Sequence, residues 1–206
     1  MNKKPLVLIP VENPPKTYLC ALEKVGLDFC TEFSSKSLSR YSGLLLTGGG
    51  DVLSAFYRST VKCRNVNVLR DVNEFKILEY FFSKQIPILA VCRGMQLLNV
   101  FLGGSLKTVN RHQGEKKEDV FHSLSSSDGY LRGLVTVNSN HVQCIDKPCS
   151  IATDAVYSAD NVLEAFSVNS NVLAVQFHPE RMDDKAIFTV YGKFATLVNA
   201  YFKSSR

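Results

Sequence analysis

Continuous apolar runs, without polar alternation, predict the central strands of this chain. Such runs occupy residues 6–9, 44–46, 86–91 and the stretch that ends at His178. This pattern is typical of parallel strands that are buried on both faces of a sheet. Further strands are predicted at residues 27–33 and 134–137, and as an antiparallel pair at 150–157 and 162–166.

Helical patterns lie between these strands, at residues 13–24, 70–82, 95–102 and 183–202. In the second helix, Phe75, Leu78 and Phe82 share one face, which we expect to be buried. The alternation predicts a flavodoxin-like, doubly wound α/β fold, with a mostly parallel central sheet flanked by helices and a small antiparallel extension. We expect one domain over residues 1–206.

Two segments show no regular period. Residues 55–69 are predicted to form a loop over the active-site edge of the sheet, and residues 107–127 a polar connection. The second segment contains His112 and His122, which we interpret as surface or structural histidines.

Cys92 occupies the sharpest predicted turn, directly between an apolar strand and an apolar helix. Its neighbours Ala90 and Gly94 are small, as in the small-x-nucleophile-x-Gly turn of enzymes whose nucleophile lies between a strand and a helix. The amides at a helix N-terminus stabilise a thiolate, which favours a catalytic role. A lone cysteine in such surroundings also fits a small core residue.

His178, Pro179 and Glu180 follow the last apolar strand. Residues two apart in an extended chain point to the same side, so Glu180 can orient the imidazole of His178 and stabilise its cation. Taken alone, the same pair would also fit a surface ion pair or half of a metal site.

Three glycines at positions 48–50 follow the short strand at residues 44–46. A glycine run after a parallel strand exposes backbone N–H groups at the sheet edge where α/β folds bind ligands. The amide of Gly49 or Gly50, together with that of Arg93 after the cysteine, can stabilise an oxyanion. A glycine run by itself can also be a simple turn.

Composition narrows the class of protein. The 206 residues are 45% hydrophobic and 21% charged, and no apolar run approaches the ~20 residues of a membrane helix. The net charge of +5 is too modest to indicate a nucleic-acid binder. We expect no signal peptide and a cytoplasmic location with reduced thiols. The six cysteines form no Cys-x-x-Cys pair, which argues against zinc: Cys20, Cys30, Cys63, Cys92, Cys144 and Cys149.

Taken together, the motifs resemble the class I glutamine amidotransferases with a Cys-His-Glu triad, and within them the γ-glutamyl hydrolase branch. The resemblance spans residues 43–181 and is carried by segments 47–51, 70–71, 90–104, 137–143 and 176–180. Ala90 is a departure, because the family usually has glycine there. The chain is also short for this branch.

The resemblance implies a catalytic triad of Cys92, His178 and Glu180. It implies that substrate is bound by Gln96, Arg70, Asn138, Ser139 and His141. It implies neither a cofactor nor a metal ion.

The implied reaction is hydrolysis of a small γ-glutamyl amide through a Cys92 thioester. The branch includes enzymes that cleave γ-glutamyl-polyamines, γ-glutamyl-aminobutyrate, folate polyglutamates and γ-glutamyl-CDP-amidate, a capsule precursor. Basic residues in the irregular segments would favour an anionic substrate if those segments border the site: Lys62, Arg64, Lys107, Arg111, Lys116 and Lys117. Two alternatives stay open, a glutaminase subunit that passes ammonia to a synthetase partner and a non-catalytic binding module.

Overall fold

A seven-stranded sheet forms the centre of the molecule in the computed structural model, which describes residues 4–32, 35–114, 118–126 and 129–205. Its strand order is β2-β1-β3-β4-β11-β10-β9. The first five strands in that order are mutually parallel, and β10 and β9 add an antiparallel edge. The parallel part follows the order of flavodoxin-like sheets, as predicted. The strands are β1 (Leu6–Leu8), β2 (Asp28–Cys30), β3 (Gly43–Leu46), β4 (Ile88–Val91), β9 (Thr153–Tyr157), β10 (Leu163–Val168) and β11 (Val172–Val175).

Helices cover both faces of this sheet and bury a separate apolar cluster on each. The side chains of each strand alternate between the two clusters, so that Val91 faces one and Ala90 the other. One face is covered by α1 (Lys16–Lys24), α4 (Asp184–Ile187) and α5 (Lys193–Ser204), and the other by α2 (Val68–Ser83) and α3 (Arg93–Phe101). None of the helices in the described ranges combines the length and the hydropathy needed to cross a bilayer.

The predicted C-terminal helix begins at the predicted position but is not continuous. Asp183 Oδ1 accepts a hydrogen bond from the Ala186 amide at 2.9 Å, which caps the first turn. A wide π-type turn at Phe188–Gly192 then separates α4 from α5. The buried positions Ile187, Tyr191 and Phe194 still lie on the sheet side.

The segment at residues 107–127 is more regular than predicted. Strand β5 (Ser105–Thr108) pairs with β8 (Gln143–Lys147), and β6 (Val120–Ser123) pairs with β7 (Thr136–Ser139), both antiparallel. These strands are short and polar, and their partners lie far along the chain, so a local hydrophobic period does not reveal them. His112 is fully buried within this region, and so is not a surface residue.

Helix α2 buries only part of the predicted face. Leu78 and Phe81 are fully buried, whereas Phe75 and Phe82 are only half-buried. Two acidic residues of the same helix, Asp71 and Glu74, are also fully buried. They pair with the buried guanidinium of Arg93, so the buried face of this helix includes acidic positions beside the apolar ones.

Gly94 brings helix α3 into direct contact with strand β3. A Cβ atom at this position would lie 2.4 Å from the carbonyl oxygen of Leu46, which is backbone and cannot move aside cheaply. The turn between β4 and α3 therefore requires glycine at this point.

We predict that Gly94→Ala lowers the free energy of unfolding by about 1–3 kcal/mol, because the added methyl group overpacks this contact. Gly192→Ala is the matched control, since a Cβ there would meet nothing closer than 3.9 Å. Its effect should be neutral or stabilising by up to about 1 kcal/mol. Urea unfolding measures both, and equal effects of the two substitutions would contradict the account.

Candidate active site

Cys92 lies on a strained turn between β4 and α3. Its backbone has φ 54° and ψ −109°, a left-handed conformation that is rare for a residue with a side chain. The Cys92 amide donates to the Val175 carbonyl at 2.8 Å, which fixes the turn to the neighbouring strand. Strain of this kind concentrates at functional sites, and here it directs the thiol toward the carboxyl edge of the sheet.

His178 and Glu180 form a tight pair beside this thiol. His178 Nδ1 lies 2.7 Å from Glu180 Oε1, and the ring also hydrogen-bonds the Cys92 thiol. Burial by itself would lower the pKa of His178, but the Cys92 thiolate and the Glu180 carboxylate raise it to about 10. The imidazolium that results stabilises a thiolate next to it.

The glycine loop after β3 packs against both members of this pair. A Cβ at Gly48 would lie 3.0 Å from His178 Cε1 and 3.7 Å from Cys92 Cβ. Gly49 and Gly50 border the same cavity as Cys92, and within the described ranges their amides donate to no other group. These amides and that of Arg93 therefore surround the space in front of the sulfur, where an oxyanion would form.

Tyr18 connects the glycine loop to the histidine. Its hydroxyl oxygen accepts a hydrogen bond from the Gly48 amide at 2.9 Å and lies 3.3 Å from His178 Nδ1. The hydroxyl also lies beside Glu180. Burial raises the pKa of Tyr18 well above its ordinary value, so the group stays protonated and can donate.

Three buried charges and the partly exposed Arg70 hold the glycine loop against α3. The Arg93 guanidinium pairs with Asp71 and, at 2.5 Å, with Glu74 Oε2. Arg70 Nε bonds the other oxygen of Glu74 at 2.8 Å. The remaining Arg70 nitrogens donate to the carbonyls of Thr47 and Gly48 at 3.2 and 3.1 Å. Arg70 therefore supports the loop, and its side chain does not line the catalytic cavity.

The cavity in front of Cys92 has a volume of about 410 Å³. It brings together the predicted residues Cys92, His178, Gly49, Gly50, Arg93, Gln96 and His141. Gln96 Nε2 donates to the Gln143 carbonyl at 2.7 Å, which orients this amide at the wall. Burial, followed by His112, lowers the pKa of His141 to about 3, so its ring is neutral.

Asn138 and Ser139 do not line this cavity. Asn138 Oδ1 accepts from the His178 amide at 2.9 Å, and so it positions the backbone of His178. Ser139 Oγ bonds the carbonyl of buried His112 at 3.0 Å. Both side chains act behind the cavity wall.

Basic residues border the cavity, but fewer than the sequence suggested. Arg64 lines it from the irregular segment and has no ion pair among the described residues. Arg181 also lines it and is paired with Asp119 at 2.9 Å. Lys107 pairs with Asp146 and lies elsewhere, and Lys116 and Lys117 lie outside the described residues.

Sequence reasoning missed Tyr18 and Glu74, and it noted Asp71 only as part of segment 70–71, without its buried partner. Tyr18 shares a helix face with Ala21 and Leu22, which is a signal for burial but not for the partners of its hydroxyl. Asp71 and Glu74 are three residues apart on one helix face, a spacing that could have indicated a common partner.

Comparisons with known proteins identify relatives of this chain. Residues 30–180 match the family model described as Peptidase C26. A Lactococcus lactis protein named as glutamine amidotransferase-like, YvdE, is 31% identical over 182 residues, which cover 78% of this chain and 77% of that protein. The γ-glutamyl-CDP-amidate hydrolase of Campylobacter jejuni is 27% identical over 139 residues, which cover 67% of this chain and 62% of that protein. The crystal structure of a glutamine amidotransferase from Thermotoga maritima matches the fold with a TM-score of 0.63 and 19% identity. The matched region covers 97% of this chain and 90% of the Thermotoga chain.

We predict that Glu180→Gln lowers the pKa of His178 by about one pH unit or more, because the ring loses an adjacent negative charge. In the wild type the imidazolium should persist to near pH 10. The titration can be followed by NMR with labelled histidine, and Glu79→Gln on the exposed side of α2 controls for a change of net charge. Glu180→Gln should also reduce turnover less than His178→Ala, since the base remains. An unchanged His178 titration would contradict the pairing.

We predict that Tyr18→Phe lowers kcat by about 10- to 100-fold and changes KM by no more than about twofold. The Gly48 amide loses its acceptor, and the glycine loop is then no longer held in position. Tyr191→Phe is the matched control. Tyr191 is also fully buried near Glu180, but its hydroxyl has no hydrogen-bond partner among the described residues. Steady-state kinetics distinguish the two, and equal losses would show that Tyr18 acts only through packing.

Proposed function

The chain belongs to the peptidase C26 family of class I glutamine amidotransferase-like proteins, and we propose that it hydrolyses the γ-glutamyl amide bond of a small conjugate. The observation that carries this proposal is the cysteine on its strained turn, hydrogen-bonded to a histidine that a buried carboxylate holds at 2.7 Å. Such an arrangement supports nucleophilic acyl transfer through the sulfur.

In the first half of the reaction, the Cys92 thiolate attacks the γ-carbonyl carbon of the substrate. The negative charge moves to the carbonyl oxygen, where the amides of Arg93 and of Gly49 or Gly50 stabilise it. His178 then gives its proton to the leaving nitrogen, the C–N bond breaks and the amine departs. The γ-glutamyl group stays on Cys92 as a thioester.

In the second half, neutral His178 takes a proton from water, which attacks the thioester carbon. The C–S bond breaks, glutamate leaves, and the thiolate and imidazolium are restored. Glu180 holds one orientation of the ring through both halves, which is the role of the third member of a triad. Apart from the substrate and one water molecule, these steps use side chains and amides of this chain.

The cavity wall supports recognition of a glutamyl head group. Gln96 presents a polar side chain there, and because its Nε2 already donates to the Gln143 carbonyl, its amide oxygen is the group that can accept from a substrate ammonium. His141 also lines this wall, but its Nδ1 donates to the Gln143 carbonyl and its Nε2 is buried. Arg64 supports an anionic leaving group, because its side chain borders the cavity and forms no close ion pair in the described part of the chain. The Asp51 carboxylate on the same wall interacts with its charge and so reduces this effect. Similarity to the γ-glutamyl-CDP-amidate hydrolase makes a γ-glutamyl nucleotide amidate one such substrate.

Glutamate release by the purified chain tests the proposal. The panel is glutamine, γ-glutamyl-putrescine, γ-glutamyl-aminobutyrate and a γ-glutamyl nucleotide amidate, with Cys92→Ala as the blank. We expect turnover of at least one conjugate to exceed that of glutamine and to vanish in Cys92→Ala. Weak turnover of every compound that rises when cell extract is added would instead support a glutaminase subunit with a synthetase partner. Inertness of Cys92 toward a thiol alkylator at neutral pH would favour a binding module.

We predict that Arg64→Gln raises KM for an anionic conjugate by about 10-fold, which corresponds to the loss of one charge-assisted contact of about 1.4 kcal/mol. KM for γ-glutamyl-putrescine, whose leaving group is cationic, should not rise. Lys62→Gln on the same loop is the matched control, because its side chain does not line the cavity. Equal effects of the two variants on KM would remove the support for anionic specificity.

A further inference from the structure

A cluster of three histidines and two carboxylates lies next to the catalytic cavity but plays no part in the reaction above. The ring centroids of His112 and His122 are 4.0 Å apart, and those of His112 and His141 are 4.8 Å apart. Asp160 and Glu164 contact the same group, with Asp160 Oδ2 3.0 Å and Glu164 Oε1 3.8 Å from nitrogens of His112.

This cluster contains half of the unsatisfied polar atoms of the described interior. Eight buried side-chain nitrogen and oxygen atoms have no hydrogen-bond partner there, and four belong to the cluster. They are both oxygens of Glu164 and the Nε2 atoms of His122 and His141. Glu164 has no solvent exposure at all. An ionised carboxylate that is buried without a hydrogen-bond partner is costly, and an additional positive group at this position would offset that cost.

Three of these residues direct lone pairs toward one another. His141 Nδ1 lies 2.9 Å from the Gln143 carbonyl, which requires a proton on that nitrogen and leaves the lone pair on Nε2. The Asp160 carboxylate faces His112 Nε2 and so favours a proton on that nitrogen. The lone pair of His112 is then on Nδ1, on the side of Glu164. Ser139 Oγ lies 3.0 Å from both His112 Nδ1 and the His112 carbonyl. Its proton can donate to Nδ1 when no ion is bound and turn to the carbonyl when an ion takes the lone pair of Nδ1.

We propose that His112, His141 and Glu164 form a binding site for one divalent transition-metal ion, with zinc as the best match. One ligand atom from each residue lies within 4.8 Å of the other two, and all three residues are buried. Two imidazoles and a carboxylate are a common ligand set for zinc. Asp160 and the Gln143 carbonyl occupy the positions of the supporting partners that usually orient metal-bound imidazoles.

The sequence predicted no metal, because the ligands come from positions 112, 141 and 164 and show no short metal-binding spacing. They belong to the segment between β5 and β6, the segment between β7 and β8, and strand β10. An ion here would join three segments around the catalytic cavity. Its role is structural, because it fixes the wall that carries His141, and it takes no part in the chemistry at Cys92.

Zinc binding by the full chain tests this site, and the Cys92→Ala background prevents binding of zinc by the catalytic thiol. After dialysis against EDTA, zinc chloride is titrated by calorimetry. We expect one equivalent to bind, and Glu164→Gln in the same background to weaken binding by at least about 100-fold. His122→Asn is the matched control and should bind as before, since His122 belongs to a separate group with His112 and Asp160.

Two further measurements keep the test valid if Glu164→Gln does not fold. Asp160→Asn alters a half-exposed residue and should weaken binding by about 10- to 100-fold through loss of the partner of His112. Co²⁺ in place of zinc should show ligand-field bands without the charge-transfer band of a thiolate. No stoichiometric binding in Cys92→Ala, full binding in Glu164→Gln, or an equal loss in His122→Asn would each overturn the assignment.

Discussion

The contact between helix α3 and strand β3 at Gly94 is the constraint on which the site depends. A Cβ atom at this glycine would lie 2.4 Å from the Leu46 carbonyl oxygen, so the helix can approach the sheet only without a side chain there. This close approach leaves no room for a longer connection, and Cys92 takes the left-handed backbone of the turn. This turn thus brings three groups close together: the sulfur of Cys92, the amide of Arg93 and the end of β3.

Buried charges then fix the parts of this volume to each other. Arg93, the residue after the nucleophile, pairs with two acids of α2, and Arg70 extends the network to the glycine loop. Loss of one partner from a buried charge group typically costs about 3–5 kcal/mol, because the remaining charge stays uncompensated. The two segments that surround the developing oxyanion are therefore coupled through a rigid polar network. Tyr18 makes the corresponding link between the loop and His178.

The sequence predicts those features that depend on local pattern. Apolar runs indicate the parallel strands, the small residues around Cys92 indicate a tight turn, and His178 with Glu180 indicates an oriented base. Features that depend on partners distant in the chain cannot be predicted from a local pattern. The hydroxyl of Tyr18 meets a ring 160 positions away, and the acids of α2 are buried only because Arg93 is buried beside them. The pairing of β5 with β8 and the burial of His112 have the same origin.

The central claim is that Cys92 carries the acyl group between the two halves of the reaction. Intact-mass and peptide mass spectrometry of the chain, quenched in acid during turnover of its best γ-glutamyl substrate, test this directly. The account predicts an adduct with the mass of one γ-glutamyl group on the peptide that contains Cys92, and none in Cys92→Ala. Steady turnover without such an adduct, and with activity retained in Cys92→Ala, would contradict it.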